Sequence, residues 1–351
     1  MSADTLSDVL LMSRALQLAT LGRGHVSPNP LVGCVIVHEG RIIGEGWHRR
    51  YGHWHAEVNA VHDVLSKGLG DLLPQSTVYV TLEPCAHFGK TPPCADLLVE
   101  YRVKKVIICN HDPNPLVAGK GIQKLKNAGI AVECGVLEVE GLRLNQRFFT
   151  YIAQHRPYII LKWAETADGF IGNAHKRPVA ISCAASRVLS HQWRSEEDAI
   201  LVGTNTAQND NPQLNTRLWA GRNPTRIVLD RTLRLSDNLH LFDDSQPTLC
   251  YNAFKNDIKG QTTFVPIDFD DMFLENLMAD LHRRKIQSLI VEGGSELLQS
   301  FLNKGLFDEI RIFKSPLILG KGTSAPLLPV GIALHNTQKT GVDWLMYYKK
   351  S

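Results

Sequence analysis

Short β-branched runs alternate with stretches of helical periodicity along this chain, and they do so twice, with a helix ending at a proline between the two series. Such alternation commits a chain to sheets flanked by helices, because each strand exposes an apolar face that a packed helix must cover. In the first half the strand runs fall at 32–37, 41–45, 77–82, 103–109 and 130–135, and helical periodicity fits 4–20, 56–68, 95–101, 119–128 and 139–151. A turn at Glu39-Gly40 makes a hairpin of the first two strands, and the β-α-β-α-β series after it predicts a mostly parallel sheet. The break falls at Gln154-His155-Arg156-Pro157, where the proline drives the preceding residue out of helical geometry. Domains of 1–153 and 154–351 follow. The second has strand runs at 158–162, 199–202, 226–229 and 288–291, and helices at 186–196, 273–284 and 296–303. Between 236 and 275 no pattern is readable, and the alternation does not disclose strand order.

A chain of 351 residues with 44% hydrophobic and 21% charged side chains can build two packed cores. No apolar run approaches the roughly 20 residues of a membrane helix. The net charge is +3, with 15 basic against 14 acidic residues up to 150 and 23 against 21 beyond, so neither half offers a polycationic face to nucleic acid. The first residues carry Asp4 and Asp8 and no basic stretch, which reads as an amphipathic helix and not as a secretion signal. Seven cysteines, an odd number without an export signal, point to a reducing cytoplasmic setting in which thiols serve metal binding or catalysis.

The sharpest local feature is His55-Ala56-Glu57, followed by Pro84-Cys85 and then Cys94. Zinc takes imidazole and thiolate, and a catalytic site uses three protein ligands with a fourth position kept for water. His55 opens a helix and Cys85 follows the strand TVYVTLE, so both belong at a rim where strands hand over to helices. Glu57, two residues from His55, suits proton transfer between a water and a leaving amine. A lone H-x-E carries little information, and two cysteines can be buried fillers or corners of a structural site. The combination H-x-E … P-C with a further cysteine is the pattern of zinc-dependent base deaminases. One departure stands out: the usual C-x-x-C is stretched to Cys85-AHFGKTPP-Cys94, so a longer loop must fold back onto the metal. His48, His53, His62 and His87 read as surface or supporting groups. In the second half, Leu289-Ile290-Val291-Glu292-Gly293-Gly294-Ser295 is a strand entering a helix through two glycines, where a phosphate can approach backbone N–H groups. The G-x-G-x-x-G spacing of a Rossmann turn is missing.

Four longer motifs carry a resemblance: Pro28-Asn29-Pro30-x-Val32-Gly33-Cys34; His55-Ala56-Glu57; Thr81-Leu82-Glu83-Pro84-Cys85-x-His87-x-Gly89-x-Thr91-Pro92-Pro93-Cys94; and Asp112-Pro113-Asn114-Pro115-x-Val117-Ala118-Gly119-x-Gly121. With them the chain resembles the bifunctional deaminase–reductase family of riboflavin biosynthesis, which carries the same stretched cysteine loop. The resemblance implies an α/β protein: a cytidine-deaminase-like three-layer domain followed by a dihydrofolate-reductase-like α/β domain. It implies zinc on His55, Cys85 and Cys94, proton transfer by Glu57, and a substrate ring held by Asn29. A diamino-pyrimidinone ribotide would be deaminated hydrolytically, and its ribosyl chain then reduced to ribityl by NADPH. The reductase pattern matches Lys162-x-Ala164-x-Thr166-x-Asp168-Gly169, Gly203-x-Asn205-Thr206, Asp210-Asn211-Pro212-x-Leu214 and Val291-Glu292-Gly293-Gly294.

Carried over by position, NADPH would touch Ala164, Ala180, Thr206, Asp210, Arg231, Gly294, Ser295, Glu296 and Leu297. The ribotide would touch Pro178, Arg194, Leu214, Arg217 and Glu292, with the two arginines on its phosphate. Ala180 stands where the family carries tryptophan, Arg231 where serine is common, and Ser27 where histidine is frequent; Arg231 suits the 2′-phosphate of NADPH. Asp210 and Glu292 are the candidates for proton donor. The resemblance further implies a cytoplasmic homo-oligomer, dimer or tetramer, acting on a small molecule and on neither nucleic acid nor membrane. Two other readings compete. One is a single-activity nucleoside or tRNA deaminase with a non-catalytic C-terminal domain, opposed by the balanced charge and by the retention of Lys162, Asp168, Asp210 and Glu292. The other is a zinc-stapled scaffold without catalysis.

Overall fold

The computed structural model describes residues 3–88, 92–114, 118–175 and 178–350. Gly89, Thr91, Pro115 and Val117 of the motifs above lie outside them. The chain divides into two compact units, Met1–His155 and Arg156–Ser351.

The first unit runs α1 (Ala3–Thr20), β1 (Gly33–His38), β2 (Arg41–Trp47), α2 (Ala56–Ser66), β3 (Thr77–Leu82), α3 (Cys94–Glu100), β4 (Lys105–Asn110), α4 (Lys120–Asn127), β5 (Ala131–Cys134), α5 (Glu138–Leu144) and α6 (Gln146–Gln154). Its sheet has the order β2-β1-β3-β4-β5. Alternation along the strands sorts side chains to two cores. Cys34, Ile36, Val78, Val80, Val106 and Ile108 meet α2, α3 and α4 on one face, while Val35, Val37, Tyr79 and Ile107 meet α1 on the other. Three layers result. The sheet is mixed and not mostly parallel: β1 pairs antiparallel with both β2 and β3, and only β3-β4 and β4-β5 are parallel. The expected helix over 139–151 is broken at Asn145, whose buried side chain leaves the helix to accept from Leu31 N–H at 2.8 Å and donate to Leu31 C=O at 2.9 Å.

Helix α2 is pressed onto β2 by two glycines. A Cβ on Gly46 would lie 2.3 Å from the amide nitrogen of Ala60 and 2.4 Å from the carbonyl oxygen of Ala56. Gly46→Ala should therefore push the start of α2 outward and cost the first unit about 1–3 kcal/mol, the usual penalty of overpacking. Calorimetry should find its unfolding at lower temperature. Since residues 55–57 sit on that helix start, the position of His55 and Glu57 should shift with it.

The second unit runs β6 (Tyr158–Glu165), β7 (Phe170–Asn173), α7 (Ala184–Glu196), β8 (Ala199–Gly203), α8 (Thr204–Asp210), β9 (Thr225–Leu229), β10 (Thr248–Asn252), β11 (Asp257–Lys259), β12 (Thr262–Pro266), α9 (Phe273–Arg283), β13 (Ser288–Glu292), α10 (Ser295–Asn303), β14 (Glu309–Lys314), β15 (Gly322–Ser324), β16 (Ala333–Thr340) and β17 (Asp343–Lys349). Ten strands form one sheet, β11-β12-β10-β9-β8-β13-β6-β14-β17-β16, parallel from β12 to β14 and antiparallel at both ends. Ile159 and Leu161 point to the core under α9 and α10; Tyr158 and Ile160 point to the core under α7. The stretch without a readable pattern holds β10, β11 and β12. Strand β10 is buried throughout, yet it opens on Thr248 and closes on Asn252, so no apolar alternation betrays it. Among the described residues no helix is long and apolar enough to cross a membrane.

Candidate functional site

His55 caps α2 in extended geometry, Cys85 follows β3, and Cys94 opens α3. The stretched loop closes because the backbone N–H of Cys94 donates to the Cys85 sulfur at 3.3 Å and that of Ala95 to the Cys85 carbonyl at 3.1 Å. His55 Nδ1 then lies 3.6 Å from Cys85 Sγ and 3.4 Å from Cys94 Sγ, and all three ligand atoms lie within 4.8 Å of one another. Nitrogen at about 2.05 Å and sulfur at about 2.3 Å from a tetrahedral zinc would be about 3.5 Å apart, so the donor set and its spacing fit that ion. The hydrogen bond from the Cys94 thiol, with His55 alongside, pulls the Cys85 thiol down to about 4, and the same pairing pushes Cys94 up. One thiolate is thus favoured in place. Glu57, in the first turn of α2, is buried, and burial pushes its carboxyl up, toward the range in which it can both take and return a proton.

His55, Cys85 and Glu57 line a cavity of about 300 Å³ together with Asn29, His48, Tyr51, His53, Glu83, His87, Asp112, Asn114 and Phe148. His48, His53 and His87 are therefore cavity residues. Of these His48 is buried, and its role is legible in its bonds. The Trp54 carbonyl can only accept, so His48 Nδ1 carries a proton to it at 3.0 Å, and Nε2 accepts from the Asn29 amide at 3.1 Å. Burial pushes the His48 pKa down and keeps the ring neutral. The Asn29 amide is thereby fixed in orientation. Asp112 and Asn114 come from the connection after β4, the carboxyl end of a parallel strand, where ligands of such sheets collect. Burial lifts the Asp112 carboxyl to about 6. The signal for this pair was present in the Asp112-Pro113-Asn114 run directly after a strand.

In the second unit the parallel register sets Glu292 of β13 beside Lys162 of β6. Arg194 of α7 donates to Glu292 Oε2 at 2.7 Å, and Lys162 Nζ lies 3.7 Å from Oε1. Burial by itself would raise the Glu292 carboxyl, but Arg194 and Lys162 outweigh it and hold it at about 2. The Glu292 carboxyl is therefore ionised at neutral pH. Arg194 also donates to the Asn215 carbonyl at 3.2 Å, and Arg217 to the Asn215 side chain at 2.8 Å, so both arginines meet at one residue beside the buried Leu214.

The Gly-Gly turn is a close approach: a Cβ on Gly293 would lie 2.6 Å from Thr206 Cγ2, and one on Gly294 would lie 3.2 Å from Thr206 Oγ1. Both glycines have positive φ, 77° and 69°, and Gly294 caps α10, whose first turn carries Ser295, Glu296 and Leu297. Thr206, Gly294 and Leu297 are thus neighbours. Ala164 lies on β6, Asp210 ends α8, and Pro178 and Ala180 lie in the segment between β7 and α7. The Arg231 guanidinium lies over the Phe269 ring, 5.8 Å from its centre.

Comparison with known proteins agrees with both halves. Residues 6–110 match the cytidine and deoxycytidylate deaminase zinc-binding region, and residues 157–345 match the RibD C-terminal domain. The chain is 39% identical to the riboflavin biosynthesis protein RibD of Aquifex aeolicus, covering 97% of each chain, and 35% identical to that of Escherichia coli, covering 90% of this chain and 89% of the relative. Among solved structures it is similar to a diaminohydroxyphosphoribosylaminopyrimidine deaminase/5-amino-6-(5-phosphoribosylamino)uracil reductase from Thermotoga maritima. That similarity has a TM-score of 0.90 and 37% identity, over 99% of this chain and 100% of the other. Acinetobacter baumannii RibD follows with a TM-score of 0.88 and 33% identity, over 99% of each.

Proposed function

Since the chain belongs to the RibD family of bifunctional deaminase–reductases of riboflavin biosynthesis, we propose that it converts 2,5-diamino-6-ribosylamino-4(3H)-pyrimidinone 5′-phosphate in two steps on one chain. Residues 1–153 deaminate the ring; residues 154–351 reduce the ribosyl side chain of the product with NADPH. The observation that carries the first step is the convergence of one imidazole and two sulfurs beside a buried carboxyl in a cavity.

His55, Cys85 and Cys94 hold zinc, which when bound supplies a water acidified toward neutral pH. Glu57 would take a proton from the attacking water and return it to the exocyclic amine, so that a C–O bond forms at the ring carbon as its C–N bond breaks and ammonia leaves. Asn29, oriented by His48, holds the edge of the heterocycle. In the second domain Arg194 and Arg217 grip the phosphate as guanidinium forks, and Glu292 keeps Arg194 in place while offering a carboxylate to the ribose hydroxyls. Pro178 and Leu214 complete that surface. NADPH, when bound there, would supply the hydride that reduces C1′ of the opened ribose. Thr206, Asp210, the α10 start from Gly294 to Leu297, Ala164, Ala180 and Arg231 hold the cofactor, with Arg231 on its 2′-phosphate. The reading includes a homo-oligomer in the cytoplasm, supported by the family resemblance.

The test follows ammonia release and NADPH oxidation in one reaction with the diamino ribotide. Stripping the metal with a chelator should stop ammonia release and leave NADPH oxidation intact when deaminated ribotide is supplied; added zinc should restore ammonia release. Ammonia without NADPH oxidation, even from deaminated ribotide, would instead favour a single-activity deaminase.

A further inference from the structure

Glu83 is an acidic side chain buried, among the described residues, without a lysine or arginine in ion-pair contact. Its side chain is 0% exposed, and its ion-pair neighbour among the described residues is the exposed His111, at 3.9 Å and beyond hydrogen-bond reach. Four backbone N–H groups solvate the carboxylate instead. Asp112 and Gly119 donate to Oε2 at 3.4 and 3.1 Å, and Gly121 and Ile122 donate to Oε1 at 3.1 and 3.3 Å. Two of these belong to the first turn of α4, whose N–H groups have no partner within the helix and whose dipole favours an anion. The backbone on either side is equally tight. A Cβ on Gly121 would lie 1.9 Å from the Pro84 carbonyl oxygen, and Glu83 N–H donates to the Asn110 carbonyl at 3.0 Å.

This places one carboxylate between two walls of the deamination cavity. One wall leaves β3 through Pro84 into Cys85; the other leaves β4 into Asp112 and Asn114, where the Asp112 carboxylate accepts from Asn114 N–H at 2.8 Å. We infer that Glu83 is a positioning residue for deamination: its carboxylate clamps the Asp112–Asn114 wall against the cysteine turn and so sets the width of the substrate cavity. The inference rests on the deaminase reading above. A carboxylate is required because it offers two acceptor oxygens and no donor. An amide of the same shape would aim an NH2 group at two of the four N–H donors, and that side would part.

The experiment is Glu83→Gln in the full chain beside wild type, assayed with the diamino ribotide for ammonia and with deaminated ribotide for NADPH oxidation, with zinc measured on both. The expected result is a KM for deamination raised about tenfold or more, from a cavity wall displaced by a fraction of an ångström. Zinc per chain and the reductase rate should match wild type. An unchanged KM overturns the inference, and so does zinc loss with collapse of kcat at constant KM, which would make Glu83 a support of the ligand loop alone. If the variant loses reductase activity too, it has not folded, and hydrogen exchange on wild type decides. Protection at Gly119, Gly121 and Ile122 that deepens when deaminated ribotide binds supports the clamp; protection that ribotide leaves unaltered overturns it. Wild type that releases no ammonia would fail the deaminase reading itself, a separate outcome.

Discussion

Glu57→Gln will lower ammonia release by about 10²–10⁴-fold, the span that a positioned general acid–base group contributes. The substitution keeps the shape of a buried side chain at the start of α2 and removes its capacity to accept a proton. The ligand atoms of His55, Cys85 and Cys94 are untouched, so zinc content should remain that of wild type. NADPH oxidation with deaminated ribotide should also be unchanged, because the second unit has its own site. Ammonia release within a few-fold of wild type would remove Glu57 from the chemistry and revive the scaffold reading.

The second large effect belongs to Glu292→Gln. This carboxylate neutralises Arg194 at 2.7 Å and Lys162 at 3.7 Å, and all three side chains are largely shielded from water. Without it two cations face each other unpaired. Losing one partner of a buried ion pair costs about 3–5 kcal/mol. The reductase kcat/KM should fall about 100-fold or more, and the second unit should unfold at lower temperature while deamination persists. The pH dependence gives an independent check. The folded carboxyl is held at about 2 against an ordinary value of 4.5. Its contribution is therefore complete above about pH 4.5 and is lost as pH falls through 2, in all about 3 kcal/mol. In the variant that part of the acid limb should be missing. An acid limb identical to wild type would mean that the three charges are not coupled.

Much of the deamination centre is legible in the chain because its ligands announce themselves chemically. His55, Cys85 and Cys94 are recognisable by type and spacing, and each lies at the end of a segment whose periodicity can be read. His48 was harder. A histidine after a strand is unremarkable until the fold buries it between the Asn29 amide and the Trp54 carbonyl. Glu83 lies inside a motif, yet nothing local distinguishes it from a surface glutamate at a strand end; its four N–H partners come from 29 to 39 residues further on. In the reductase half, Glu292 and Lys162 become neighbours only through the pairing of β13 with β6, 130 residues apart in the chain. The strands between 248 and 266 escape notice because polar residues at their ends erase the alternation.

Local chemistry and periodicity determine two α/β units, a break before Pro157, and a His-Cys-Cys set with a carboxyl beside it, since these depend on residue type and on spacings within a helix turn or a strand. Strand order, the mixed direction of the first sheet, the break at Asn145 and the ionised state of Glu292 were decided only when distant segments met. Each of these depends on which partner a backbone or a charge finds across the fold, and a hydrogen bond or ion pair has no energy until that partner arrives.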